Sequence, residues 1–336
     1  MITVENLSKS YLGRTGTVVA LDDVTLEVPE GTLCGVVGPS GAGKSTLARL
    51  VGLRERPDRG AIRVGGTNLL SLASSQLRGV RRQIGVLPST STLLAQRTVA
   101  GNIAMPLEQA GMEGPQRRAR VADLLDLAGL TARAGDLPGT LTPGARQRVS
   151  VARTLAGNPS VLVADEPTEG LEPRDAAGVL AVLDRARSEL GTTVVLATRE
   201  VSVVRRLCDD VAVLDDGRLV ERGSILDLIS DQDSWTASAI LPAVPTVSRP
   251  VGDDEVANVV LIGFATVGAL LPEAATRFAV RISVLGGGIT RLGDTPVARF
   301  QVGVTGERAS AALDWVTEQG GLVQRVPCGP RVMVAA

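Results

Sequence analysis

The chain has 336 residues, 44% hydrophobic and 21% charged, with a formal net charge of −1 and no histidine. That balance is globular and long enough for one large domain and a smaller one. With no basic tail and only 2% aromatic residues, neither the charge nor the stacking platform for a nucleic-acid partner is present.

Cys34, Cys208 and Cys328 lie far apart with no CxxC, the pattern of small buried hydrophobes in a reducing compartment. The opening MITVENLSKS has no apolar run behind positive charge and does not read as a signal peptide. The longest uncharged run, Val256 to Pro272, falls short of the ~20 apolar residues of a membrane span. Asn258, Gly263 and Gly268 break it further, so it reads as a buried strand followed by a helix start. Any membrane role then comes through a partner.

In chain order, the first buried strand pattern is GTLCGVVG, followed at once by GPSGAGKST. Gly38, Pro39, Ser40, Gly41, Ala42, Gly43, Lys44, Ser45 and Thr46 fit GxxxxGK[ST] in full, between a strand and a helix. Three glycines let the backbone curl close to phosphate oxygens, and the helix N-terminus presents positive potential to an anion. Lys44 reaches the β- and γ-phosphates and Ser45 supplies an oxygen to Mg²⁺. Lys9 and Lys44 are the only lysines of the chain.

KSTLARLVGL then has helical spacing, RQIGVLP reads as a strand, and the pattern from Thr98 to Thr140 is mainly helical. PSVLVADEP is a second buried strand that ends in carboxylates. Asp165 is expected to hold Mg²⁺ through water, and Glu166 to take a proton from attacking water. The helix pattern PRDAAGVLAVLDRARSEL follows, then the strand TTVVLAT with Arg199 at its tip, then the strand DVAVLDDG. Near-continuous apolar strands alternating with helices predict a mostly parallel sheet covered on both faces.

Residues 230 to 254 mix polar residues, prolines and small residues and read as a linker. Beyond it come a strand (256–264), a helix (267–278), two strands (281–292 and 297–305), a helix (307–319) and a last strand (322–334). That βαββαβ order is ferredoxin-like. The expected domains are therefore 1–232 and 255–336, joined by a linker over 233–254.

These motifs, together with LTPGARQRVSVARTLAGNP, resemble the ATP-binding-cassette ATPases of membrane transporters over residues 1 to about 230. A narrower resemblance is to the ATP-binding subunits of bacterial methionine importers. It is carried by ALDDVTLEVPEGTLCGVVGPSGAGKSTLARLVGLRERPDRG, RRQIGV, RTVAGNIAMPLE and a tail similar to that family's methionine-sensing, ACT-like domain. The resemblance implies an α/β P-loop NTPase domain with a helical subdomain, plus a small α+β ferredoxin-like domain.

It further implies ATP and Mg²⁺ as cofactors, and two subunits sandwiching two ATP molecules at the cytoplasmic face of a membrane. Permease subunits and a substrate-binding lipoprotein would be the partners. Tyr11 matches the position that stacks on adenine in the family.

The chain departs from the family pattern at several points. The signature LSGGQ reads Leu141-Thr142-Pro143-Gly144-Ala145, keeping a hydroxyl at Thr142 and the glycine at Gly144, while Pro143 lacks an N–H. Ser89 falls at the glutamine that ligates Mg²⁺, and SALD reads Glu169-Gly170-Leu171-Glu172. Arg199 stands where the family has a histidine on the γ-phosphate. Arg is always charged and offers a donor fork, but it accepts no proton.

In the small domain, Ser283-Val284-Leu285 replaces Asn-Ile-Leu, which weakens methionine as the sensed ligand. An importer ATPase of reduced activity is the first expectation. A weakly hydrolysing, nucleotide-binding regulatory subunit is the second. The subunit pairs with itself or with a consensus subunit.

Overall fold

A computed structural model describes residues 1–13, 16–244 and 254–326. The chain divides into two compact units, Met1–Ser224 and Ile225–Ala336.

In the first unit, β1 (Ile2–Gly13) and β2 (Gly16–Val28) pair as an antiparallel hairpin. β3 (Leu33–Val37) runs to the phosphate loop; β4 (Arg59–Val64) and β5 (Thr67–Asn68) complete a sheet of order β2-β1-β4-β5. The parallel strands of the second sheet are β3, β6 (Ile84–Leu87), β7 (Val161–Asp165), β8 (Thr193–Ala197) and β9 (Asp210–Asp215). β10 (Arg218–Ser224) closes its edge antiparallel to β9, giving the order β10-β9-β3-β8-β7-β6.

The apolar run of β7 splits by its pleat. Leu162 and Ala164 join one core with the helices; Val161 and Val163 join the other, with Leu47 and Leu50 of the helix Lys44–Val51. A sheet covered on both faces needs apolar residues at both phases, which is why the run is continuous. The helical stretch expected between Thr98 and Thr140 contains the helices Val99–Gln109 and Gly114–Leu127. Val99, Ile103, Leu107, Leu124 and Leu127 pack with Val149 and Leu155 of the helix Pro143–Leu155.

In the second unit, β11 (Glu255–Ile262), β12 (Arg281–Leu292), β13 (Thr295–Thr305) and β14 (Leu322–Arg325) form an antiparallel sheet of order β12-β13-β11-β14. The helices Phe264–Phe278 and Ala309–Glu318 pack Leu271, Ala274, Leu313 and Val316 on Ala257, Val259 and Val302. This is the ferredoxin-like strand order.

Two boundaries differ from the sequence reading. The first unit ends at Ser224, not at 232, and residues 235–240 of the expected linker form a helix, Trp235–Ile240, capped by Ser234 Oγ on the Ala237 N–H at 2.9 Å. Its Thr236, Ala237 and Ile240 are buried, so the stretch belongs to a packed unit. Residues 245–253 of the expected linker and the end of the expected last strand, from 327 onward, lie outside the described residues. Among the described residues no helix is long and apolar enough to cross a membrane.

Candidate functional site

β3, β7 and β8 are adjacent and parallel, so the residues that follow their carboxyl ends meet along one edge, where open α/β sheets bind ligands. A cleft of about 330 Å³ opens there. Its walls are Ser40, Gly41, Gly43, Lys44, Ser45 and Thr46 from the loop, Ala20 from the hairpin, and Glu166, Glu169 and Arg199 from the strand ends.

The loop needs glycine at two tight places. Gly38 has φ +149, and a Cβ there would stand 2.0 Å from the Leu214 carbonyl oxygen; Gly43 has φ +100, with a Cβ 2.4 Å from the Ala20 carbonyl oxygen. Ala42 is buried in the core below. Lys44 is 6% exposed, and its Nζ donates to the carbonyls of Gly38 and Pro39, both at 2.8 Å. Burial pulls its ammonium below the ordinary value; Arg199 adds to the effect, and the carboxylates of Glu166 and Asp165 oppose it.

Ser45 Oγ donates to Asp165 Oδ1 at 2.9 Å. The first helical turn after β3 thus delivers a hydroxyl to the carboxylate at the end of β7. Two hard oxygens so placed suit Mg²⁺, which binds protein through one or two carboxylates alongside phosphate oxygens.

Glu166 follows with φ 45, a left-handed conformation that a non-glycine residue adopts at some cost. Its N–H, bonded to the Ala197 carbonyl at 2.9 Å, holds it there. The turn aims the carboxylate along the sheet edge, where its side chain is 13% exposed.

Arg199 is placed by Thr198, which is fully buried, donates its N–H to the Val36 carbonyl at 3.0 Å and accepts from the Glu200 N–H at 3.0 Å. The Arg199 N–H donates to Glu166 Oε2 at 3.2 Å, and its Nε lies 3.2 Å from Glu166 Oε1. A terminal amino nitrogen of the guanidinium donates to Glu169 Oε1 at 2.6 Å.

Of the expected site residues, Gly38, Pro39 and Ala42 lie within the loop and Asp165 is bonded to Ser45 without lining the cleft, while Tyr11, Ser89, Thr142 and Gly144 lie away from it. Tyr11 bonds Glu55 Oε2 through its hydroxyl, accepts from Arg49 at 3.3 Å, and has the Arg49 guanidinium 6.0 Å from its ring centroid. Ala20, rather than Tyr11, is the hairpin residue at the cleft.

Ser89 follows β6, the neighbour of β7, on the same sheet edge. Thr142 and Gly144 start the helix Pro143–Leu155 elsewhere on the unit. There Thr142 Oγ1 caps the Ala145 N–H at 3.2 Å, and Asp175 accepts from the Gly144 N–H at 3.1 Å and from the Thr142 hydroxyl at 3.4 Å. The sequence reading missed the cleft position of Glu169 and of Ala20. For Glu169 a signal was available, since it shares the strand-end turn with Glu166, its N–H donating to the Glu166 carbonyl at 3.1 Å.

Residues 21–169 match the family model described as ABC transporter, and residues 255–325 match that of the NIL domain. The chain is 44% identical to the methionine import ATP-binding protein MetN of Thermobifida fusca, over 97% of this chain and 100% of that protein. It is 38% identical to the MetN of Symbiobacterium thermophilum over 98% of this chain and 100% of that protein. Among solved structures, a dimeric post-hydrolysis state of the ATP-binding cassette MJ0796 bound to ADP and Pi superposes with a TM-score of 0.60 at 30% identity. That match covers 67% of this chain and 98% of the other.

Proposed function

This chain belongs to the methionine-import ATP-binding proteins of the ABC transporter family, and we propose that it couples ATP binding and hydrolysis to uptake of methionine or a related small molecule. It is an ATPase subunit, and full-length similarity to import proteins favours this reading over a regulatory subunit that hydrolyses little. The observation that carries the residue assignment is the convergence of Lys44, the Ser45–Asp165 pair and Glu166 on one cleft.

The loop N–H groups and Lys44 hold the phosphate chain of ATP, with Gly38 to Thr46 following its curve. Ser45, and Asp165 through water, would hold Mg²⁺, with Ser89 on the same edge as a further oxygen. When bound, the ion neutralises charge on the phosphate oxygens. Glu166 orients a water and takes its proton as the oxygen attacks the terminal phosphorus. The bond to ADP breaks with its electron pair on the leaving oxygen, and inorganic phosphate forms. Arg199 stabilises charge on the terminal phosphate in place of a neutral donor.

Two subunits sandwich two ATP molecules, each offering Thr142 and Gly144 to the nucleotide of the other. We assign a homodimer, with a heterodimer as the other arrangement. The subunits sit on permease subunits at the cytoplasmic face of the membrane, supplied by a substrate-binding lipoprotein. The test is ATP turnover of the protein reconstituted with its permease in vesicles. Turnover that rises on assembly and is lost in Glu166→Gln supports the reading; an unchanged rate in that variant overturns the assignment of the base.

A further inference from the structure

Arg199 is gripped by two acids at once. Its Nε rests on Glu166 at 3.2 Å, while a terminal amino nitrogen reaches Glu169 at 2.6 Å. Both acids and the arginine line the cleft that also holds Lys44 and Ser45. The two grips differ. Glu166 is 13% exposed and bonded to the Arg199 backbone as well, whereas Glu169 is 51% exposed and holds only the guanidinium. An ion pair as open as the second is weak in water. A terminal phosphate carries more charge and presents paired oxygens to the guanidinium fork, so it outbids a single exposed carboxylate.

We infer that Glu169 is a positioning residue that holds Arg199 at the cleft wall and surrenders its amino nitrogen to the terminal phosphate of ATP. When phosphate departs, Glu169 takes the arginine back and so speeds release. The inference rests on the reading of this cleft as the ATP site. Glu169 therefore competes with the nucleotide for one cation: it weakens ground-state binding and keeps Arg199 from over-stabilising bound nucleotide, which would lower the rate.

The test measures Mg·ATP affinity with a fluorescent analogue, alongside kcat and KM, in Glu169→Gln, Arg199→Gln and the double variant. In Glu169→Gln, affinity is expected to tighten and kcat to fall, each about two- to fivefold, the range an exposed ion pair supports. In the Arg199→Gln background, removing Glu169 is expected to change affinity by less than about twofold. A purely structural role would move kcat and KM without this opposed split.

Equal tightening in both backgrounds would mean that Glu169 merely repels phosphate, and unchanged affinity in Glu169→Gln would mean no competition; either overturns the exchange. Wild-type binding that is lost in Lys44→Ala, measured in the same series, separates that outcome from failure of the ATP site itself.

Discussion

Arg199 Nε lies 3.2 Å from Glu166 Oε1, so the cation at the end of β8 rests on the carboxylate at the end of β7. The register that pairs Asp165 with Ala197 sets this contact. Removing the guanidinium is expected to cost turnover, because a donor on the transferring phosphate is lost. Arg199→Gln should lower kcat by roughly 10²-fold, near the loss of one oxyanion donor, while Mg·ATP still binds. Steady-state ATPase assays of the assembled transporter check this; a rate at or above wild type would show that Arg199 restrains the reaction.

Gly144 is boxed in by Asp175. A Cβ at residue 144 would stand 2.3 Å from Asp175 Cβ and 2.7 Å from its Oδ1. Gly144→Ala is expected to destabilise the first unit by ~1–3 kcal/mol, the usual cost of overpacking. Combining it with Asp175→Gly removes the obstructing carbon, so the double variant should lose less than the sum of the single losses. Urea denaturation of the four proteins reads the coupling.

The Cys34 thiol gives a pH dependence. Burial pushes it up to about 12 from the ordinary 9.0, with Asp210 and Asp209 adding to the rise. The unfolded thiol ionises first, so its stabilising contribution is intact below pH 9.0 and is lost as pH climbs towards about 12. Guanidinium midpoints between pH 7 and 10.5 should therefore fall more steeply in the wild type than in Cys34→Ala. Parallel slopes would contradict it. Cys208 is raised by the same burial, so it is kept in both proteins.

The parts legible in the sequence are those whose signal is local. GPSGAGKST carries its own turn, strand and helix, and the buried positions of β3, β7 and β8 are apolar apart from Thr193 at the start of β8. The antiparallel sheet of β1, β2, β4 and β5 escaped, because register shifts after Val4 and Leu7 break the alternation of β1. The helix Trp235–Ile240 was hidden by its shortness and by the prolines that follow.

In the candidate site, the loop residues, Glu166 and Arg199 were legible one by one, but the place of Glu169 and the pairing among them were not. Glu166, Glu169 and Arg199 meet only because β7 and β8 are neighbours in the sheet. Tyr11 shows the converse: its matching position predicted a base contact, while Arg49 and Glu55 engage its hydroxyl.

The most direct measurement is equilibrium binding of radiolabelled ATP, with magnesium, to the folded wild-type protein and to Lys44→Ala. Lys44 is buried against the loop it completes, so its loss should weaken binding by roughly 10²-fold or more, the effect of a lost charged hydrogen bond on an anion. Circular dichroism should remain unchanged. Equal binding by the two proteins, or none by the wild type, would contradict the assignment of Gly38 to Thr46 as the seat of the nucleotide.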